Sequence, residues 1–249
     1  MLASLSRVNG IGAWHLYIGL EPGNEACQQL CEQISFMPKT ILYNAEKLGV
    51  RGNPFQVLQH AFAAGSEINI HLEDDLLVSP DICELALWYY ELVPETQLHD
   101  IRIFFLNLFV CSTGREAKDA LTVSSFFSPW GMMMNRYQWT QLMAPQWWND
   151  EHNYPQQYDW TLSLSHLMNQ HRDLLVLAPL LSRTTNIGRD GGVHSFPERH
   201  DMLLDGLVMH TGQESVAYRL DPRAAVPWRK PNYKSMTVQD EWRESPITS

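Results

Sequence analysis

Three consecutive acidic residues follow a stretch in which apolar and polar residues alternate. Residues 68–72 form the stretch and lead directly into Glu73, Asp74 and Asp75. The alternation predicts a strand, and a carboxylate at a strand end can point into a cleft and hold Mn²⁺ or Mg²⁺. Such a cation binds phosphates and neutralises the charge on a departing nucleoside diphosphate. The motif therefore indicates a metal site, and its alternative is a solvated turn of three acids.

Two arginines occupy a glycine-containing segment near residue 185. Arg183 and Arg189 can give phosphates bidentate, charge-assisted hydrogen bonds, and glycines such as Gly188 let a loop open and close. His194 follows as a second metal ligand or a hydrogen-bonding loop residue. The alternative is a surface turn whose arginines are solvated.

Aromatic residues are concentrated between residues 126 and 160. Sugars stack on aromatic rings, so tryptophans in this region can form an acceptor platform, although aromatic residues more often belong to the core. The neighbouring polar residues 149–152 place at least one of the last two tryptophans near a surface. The tryptophans concerned are Trp130, Trp139, Trp147 and Trp148.

Alternating strands and helices must position these groups. The sequence predicts strands over residues 15–20, 40–43, 68–72, 102–110 and 174–177, helices over 1–8, 24–36, 55–64 and 80–92, and a loop over 49–54. Such alternation predicts an α/β protein with a largely parallel sheet covered on both faces. Ligands of these sheets bind at the carboxyl ends of strands, where residues 73–75 lie.

Composition limits the classes of function. The chain has 249 residues and a formal net charge of −10, which argues against nucleic-acid binding because that needs a basic surface. No apolar run approaches the roughly 20 residues that cross a bilayer. The four cysteines suggest neither a zinc site nor a disulfide framework. The first residues lack a signal-peptide pattern, so we expect a cytoplasmic protein, free or peripheral to a membrane, with no integral membrane segment.

Three short segments resemble the N-acetylglucosaminyltransferase I family of inverting, Mn²⁺-dependent transferases with the GT-A fold. Residues 73–81 resemble its Glu-Asp-Asp-Leu-x-Val-x-Pro-Asp segment, and residues 182–194 reproduce its Ser-Arg-Thr-x-x-x-Gly-Arg-x-Gly-x-x-His spacing. Residues 158–160 resemble its aromatic-Asp-Asp-Trp segment, with Tyr158 in place of the first acid. The resemblance spans residues 14–204 and implies a mixed, mostly parallel GT-A sheet flanked by helices.

The resemblance also implies residue roles. Asp75 would bind the metal, and Asp159 would be the general base, although Asp159 can instead cap a helix that starts near Trp160. Asn44 falls where the family has an acid that reads uracil, and residues 182–194 would close over the donor. The implied donor-binding residues are Asn44, His60, Glu73, Asp74, Ser182, Arg183 and Arg189, and the implied acceptor-binding residues are Trp130, Gly131 and Trp160.

The sequence also departs from the family. A first nucleotide-binding strand is missing, so either the start is incomplete or that strand is lost. We expect one catalytic domain over residues 1–204, with a nucleotide-binding half at 1–100 and an acceptor half at 101–204, and a polar tail over 205–249. The predicted reaction moves a sugar from a nucleotide-sugar donor, with UDP-N-acetylglucosamine implied, to a hydroxyl of a glycan or another acceptor. The alternatives are a catalytically impaired binding protein of this fold and another metal-dependent enzyme that acts on a nucleotide diphosphate.

Overall fold

The computed structural model describes residues 1–92, 103–125, 127–148, 164, 168, 174–190 and 197–226. The strands are β1 (Leu16–Leu20), β2 (Lys39–Tyr43), β3 (Ile68–His71), β4 (Leu76–Val78), β5 (Ile103–Asn107), β6 (Ala120–Ser124), β7 (Met132–Asn135), β8 (Leu175–Pro179), β9 (Thr184–Asn186) and β10 (Arg219–Leu220). The α-helices are α1 (Leu2–Leu5), α2 (Glu25–Glu32), α3 (Gly49–Ala63), α4 (Ile82–Leu92), α5 (Ala144–Trp147) and α6 (Pro197–Leu204). A 3₁₀-helix at Ile11–Ala13 and a π-helix at Gln138–Met143 complete the elements.

A six-stranded mixed sheet forms the centre of the fold. Its strand order is β10-β6-β8-β5-β7-β3, and smaller two-stranded sheets are formed by β1 with β2 and by β4 with β9. The prediction of an α/β protein is therefore confirmed. The prediction of a mostly parallel sheet is wrong for the central sheet, because three of its five pairings are antiparallel.

The antiparallel pairings come from strands that the sequence pattern did not reveal. Strand β7 lies antiparallel between β3 and β5, and β6 lies antiparallel beside β8. Both faces of β7 are buried, and its sequence is Met-Met-Met-Asn, so no alternation of apolar and polar residues marks it as a strand. Strands β4 and β9 have three residues each, which is too short for a period-two signal.

Two helix starts differ from the prediction. Helix α3 begins at Gly49 rather than Phe55, because the Glu21 carboxylate, from the loop after β1, accepts hydrogen bonds from the backbone N–H groups of Leu48 and Gly49. This cap lies 28 residues away in sequence. Helix α4 begins at Ile82, two residues after the predicted start.

Two hydrophobic clusters enclose the central sheet. One groups α4 with residues of β5, β7 and β8, such as Leu85 and Leu106. The other contains Trp139 and Trp147, which are fully buried, so the core alternative is confirmed for these two residues. Trp148 is exposed, and the buried Arg51 guanidinium lies 5.0 Å from the centre of its ring.

The chain after residue 204 packs back onto this frame as far as residue 226. Met209 forms a parallel bridge with Ser182, and the backbone N–H of His210 donates to the Ser182 carbonyl. Strand β10 adds a parallel edge to β6. Within the described ranges, no helix has both the length and the apolar character needed to cross a bilayer.

Candidate functional site

The β4–β9 pair brings the acidic motif against the glycine-containing segment. Antiparallel register places Leu76 opposite Asn186, so Asp75 lies beside the chain that leaves β9. The Asn186 side-chain amide donates to Asp75 Oδ2 over 2.9 Å, and the Ile187 N–H donates to the Asp75 carbonyl over 2.7 Å. Two of the motifs found in the sequence, 111 residues apart, therefore meet at one point.

The two carboxylate oxygens of Asp75 have different surroundings. Oδ2 accepts the Asn186 bond, whereas Oδ1 is buried and has no hydrogen-bond partner among the described residues. Leaving a buried polar group without a partner costs about 1–3 kcal/mol, and more when the group is charged. A cation or a ligand donor at Oδ1 would remove that cost, so this oxygen fits the predicted metal ligand.

The described residues offer little else to a metal ion. They contain no group of three or more His, Cys, Asp or Glu side chains arranged to hold one. Mg²⁺ and similar cations are often held by one or two carboxylates, with substrate phosphates and water as the other ligands. Among the described residues, Asp75 is therefore a carboxylate that fits a cation with substrate phosphates and water as its other ligands.

Glycine at position 188 is required by close approach. A Cβ atom there would lie 2.3 Å from Asp75 Oδ2 and 3.0 Å from Asp75 Cβ. The Gly188 N–H also donates to Asn186 Oδ1 over 2.8 Å. The sequence suggested loop mobility as the reason for this glycine, and the structure adds a steric reason.

The other two acids of the motif flank the same strand end. Glu73 is partly buried, and Asp74 is exposed. His71, directly before them in β3, is buried, and desolvation lowers its pKa to about 4. Its imidazole is therefore neutral at neutral pH and adds no positive charge beside the acids. The donor roles of Glu73 and Asp74 stay predictions.

The predicted acceptor residues Trp130 and Gly131 contact the other end of β9. The Thr184 hydroxyl donates to the Trp130 carbonyl over 2.5 Å. Gly131 has a φ of +95°, and a Cβ atom there would lie 3.0 Å from Thr184 Cγ2. The partly exposed Trp130 ring packs edge-on against Phe109 with centroids 4.7 Å apart. The aromatic residue is thus held near the Asp75 region, and its acceptor role stays a prediction.

Ser182 and Arg183, two of the predicted donor-binding residues, are buried inside the protein, and their donor role stays a prediction. Arg183 is completely buried, and its Nε donates to both oxygens of Asp81, over 3.1 and 2.9 Å. Its remaining nitrogens donate to the backbone carbonyls of Leu181 and Lys118. Ser182 is also buried, and its hydroxyl donates to the Thr184 carbonyl. The Arg183 guanidinium is thus enclosed by protein acceptors in this structure.

Asp81 is the centre of this buried group. It receives a 2.5 Å bond from the Ser79 hydroxyl and a 2.6 Å bond from the Tyr218 hydroxyl, besides the Arg183 bonds. Burial, followed by the neighbouring Asp81 charge, raises the Tyr218 pKa far above its ordinary value. Nε2 of buried His210 lies 3.7 Å from Asp81 Oδ2, and desolvation lowers the His210 pKa. Residues 79, 81, 183, 210 and 218 thus form a structural polar centre.

Arg189 lies on the surface and is already paired. Its Nε and Nη2 donate to Asp201 of α6, both at 2.9 Å, and its Nη1 donates to Asp190. The hydrogen bond to Asp201 raises the Arg189 pKa, and the same bond lowers the Asp201 pKa. A phosphate would have to displace these acids, so the donor role of Arg189 stays a prediction that carries this cost.

Asn44 and His60 lie at different ends of the β1–α3 unit. Asn44 follows β2, and its amide donates to Asn53 Oδ1 over 3.0 Å, while its own Oδ1 is buried without a partner among the described residues. Its donor role stays a prediction. His60 is exposed in the last turn of α3, against Tyr17 near the start of β1. That end is opposite to the strand ends where ligands bind, and the donor role of His60 stays a prediction.

Several predicted residues lie outside the described part of the chain. They are Asp159, Trp160 and His194. The distance between Asp75 and the predicted base is therefore untested. No protein-family model matches the sequence, and the search of curated proteins found no match.

Sequence reasoning missed Asn186 as a part of the site. It occupies an unspecified position of the Ser-Arg-Thr-x-x-x-Gly-Arg pattern, so the motif gives it no role. What connects Asn186 with Asp75 is its place opposite Leu76 in the β4–β9 register. That register exists only in the folded protein, so the sequence could not show it. Asp81 was visible as the last acid of the first motif, but its partner Tyr218 lies 137 residues away.

Proposed function

We propose that this protein is a metal-dependent, inverting glycosyltransferase. It would move a sugar, with N-acetylglucosamine implied, from a nucleotide diphosphate donor to an acceptor hydroxyl of a glycan or another molecule. The observation that supports this proposal most is the hydrogen bond between Asp75 and Asn186. It unites the acidic motif and the glycine-containing segment, which are two of the three segments that carry the family resemblance.

In this proposal Asp75 is the protein ligand of Mn²⁺ or Mg²⁺. The cation supplies charge neutralisation for the departing nucleoside diphosphate. Asn186 and Gly188 confine the Asp75 carboxylate, and Trp130, beside β9, offers a ring face to the acceptor. Asp159 accepts the proton of the acceptor hydroxyl as that oxygen attacks the anomeric carbon from the face opposite the diphosphate.

A second candidate is a nucleotide-sugar-binding protein of the same fold without turnover. One observation favours it specifically: Arg183 is enclosed by Asp81, and Arg189 is held by Asp201. Both arginines of the predicted donor segment are therefore paired with protein carboxylates, which leaves fewer hydrogen-bond donors for the phosphates of the nucleotide sugar. Binding of a nucleotide sugar without any release of nucleoside diphosphate would support this candidate.

Release of free nucleoside diphosphate distinguishes the two candidates. The protein is incubated with Mn²⁺ and a panel of nucleotide sugars, with and without mixed glycan acceptors. We expect release that stops on chelation of the metal and is lost in Asp75→Asn. The matched control is Asp119→Asn, which removes an exposed carboxylate paired with Arg219 and should retain release. Equal release from wild type and Asp75→Asn would contradict the proposal.

The role of Asp159 needs its own variant. We expect Asp159→Asn to bind donor and metal as the wild type does but to turn over at least about 10²-fold more slowly, because a general base contributes 10²–10⁴-fold. Single-turnover kinetics at saturating donor measures this directly. Undiminished turnover would remove Asp159 from the mechanism and leave the metal proposal standing.

A further inference from the structure

We propose that Asn186 is the positioning residue that aims the Asp75 carboxylate at the cation. The inference rests on the proposed function, because it names what orients the metal ligand of that site. Asn186 is buried, and both ends of its side-chain amide are engaged. Nδ2 donates to Asp75 Oδ2 over 2.9 Å, and Oδ1 accepts from the Gly188 N–H over 2.8 Å.

This arrangement makes the two oxygens of Asp75 inequivalent. The amide holds Oδ2, so rotation of the carboxylate would break a hydrogen bond and leave the buried Asn186 Nδ2 without its acceptor. Oδ1 then remains as the oxygen without a protein partner among the described residues. A residue that orients a metal ligand through a hydrogen bond typically contributes 10–100-fold to metal affinity or activity.

The backbone around Asn186 restricts Asp75 further. The Ile187 N–H donates to the Asp75 carbonyl over 2.7 Å, which fixes the main chain of the ligand residue. Gly188 packs so closely that a Cβ atom would lie 2.3 Å from Oδ2. Segment 186–188 therefore contacts both the main chain and the carboxylate of Asp75. Within this segment, the Asn186 side chain makes the hydrogen bond to the carboxylate.

The neutral amide also sets the charge of the site. An aspartate at position 186 would put a second carboxylate where the amide now donates to Oδ2. Affinity for hard divalent cations rises with the number of charged oxygen ligands. The wild type is thereby expected to need the nucleotide phosphates to hold the cation, whereas Asn186→Asp would hold it without a nucleotide.

Electron paramagnetic resonance of Mn²⁺ tests this with the full-length protein and without any turnover. In saturating uridine diphosphate, we expect Asn186→Ala to bind Mn²⁺ about tenfold more weakly than the wild type. Without nucleotide, we expect Asn186→Asp to bind Mn²⁺ at least about tenfold more tightly. The matched control is Asn9→Ala, which also removes an amide that donates to a carboxylate, that of Glu84, and should bind as the wild type does.

Different outcomes of this experiment would contradict the proposed function and the positioning role of Asn186. A wild-type protein that retains no Mn²⁺ with the nucleotide contradicts the proposed function, and the positioning role falls with it. Wild-type binding that Asn186→Ala leaves unchanged overturns the positioning role alone. If Asn186→Ala does not fold, Asn186→Asp decides the question, because an unchanged Mn²⁺ affinity in that variant overturns the role.

Discussion

The two ends of the short β4–β9 pair each hold one aspartate, and the two aspartates are treated in opposite ways. At one end, Asp81 is fully buried, and both of its oxygens accept hydrogen bonds from Ser79, Arg183 and Tyr218. At the other end, Asp75 is only partly buried, and one of its oxygens has no hydrogen-bond partner in the part of the chain that the structure describes. The first carboxylate is saturated by the protein, and the second is left available for a ligand.

This difference separates residues that stabilise the fold from residues that can do chemistry. A buried charge needs compensation, and Asp81 obtains it from the donors of Ser79, Arg183 and Tyr218. A ligand-binding carboxylate must be oriented and yet incomplete, and this is the arrangement of Asp75. The same six-residue step along the chain thus contains both kinds of acid, and burial distinguishes them where sequence does not.

The largest expected effect follows from removing the Arg183 guanidinium, which compensates the charge of Asp81. Arg183→Met should lower the free energy of unfolding by about 3–5 kcal/mol, because it leaves Asp81 as a buried charge without its ion-pair partner. Urea denaturation followed by circular dichroism measures the change. The double variant Asp81→Leu/Arg183→Met should recover a large part of the loss, and equal stability of Arg183→Met and wild type would contradict the comparison.

A smaller loss is expected from the tyrosine that contacts the same aspartate. Tyr218→Phe removes a 2.6 Å hydrogen bond to Asp81 Oδ2, and hydrogen bonds to charged groups contribute about 1.5–3 kcal/mol. The ring packing against Trp88 should survive. Exposed Tyr43→Phe is the control, and urea midpoints that coincide for both variants would show that the Tyr218 hydroxyl contributes nothing.

At the Asp75 end of the β4–β9 pair, removal of the carboxylate charge should hardly affect the stability of the fold. We expect Asp75→Asn to change the free energy of unfolding by less than about 1 kcal/mol, because the variant keeps an oxygen that can accept the Asn186 bond and loses the charge of a partly buried carboxylate. In contrast, the thermal shift caused by Mn²⁺ and uridine diphosphate together should disappear. A loss of several kcal/mol without ligands would mean that Asp75 is a structural residue like Asp81.

The smallest effect concerns pH and the histidine beside Asp81. The pKa of His210 is lowered in the folded protein, so the unfolded chain binds the proton at higher pH, and stability falls as the pH drops below about 6.5. His210→Gln should make the decline between pH 7 and 5 shallower. A slope will remain, because His71, with a pKa of about 4, has the same sign. Identical pH profiles would exclude a contribution from His210.

The sequence predicted the class of fold and identified the two motifs that meet at Asp75, for identifiable reasons. Strands β1, β2, β3, β5 and β8 carry local apolar patterns, and each was expected close to where it occurs. The antiparallel pairings that make the sheet mixed come from β6 and β7, which the sequence analysis did not predict. Strand β7 carries no alternation, and in β6 the alternation of Leu121 to Ser124 covers only four residues. Local pattern therefore revealed the elements but not the direction of their pairing.

The candidate site shows the same limit at the level of single residues. Motif spacing led to Asp75, and the structure places that carboxylate against the second motif. Motif spacing also led to Arg183, which points instead into the buried centre around Asp81. Arg183 directly precedes the three-residue strand β9, and the pairing of that strand with β4 cannot be read from motif spacing.

The return of residues 207–221 to the sheet has a consequence for how the protein is made. Asp81 obtains donors from residues 102 and 137 positions further along the chain, so these bonds cannot form until residue 218 has left the ribosome. A fragment that stops at residue 204, the domain boundary that the sequence suggests, would lack Tyr218 and the Met209 bridge. Recombinant work on this protein should therefore retain the chain at least through residue 226.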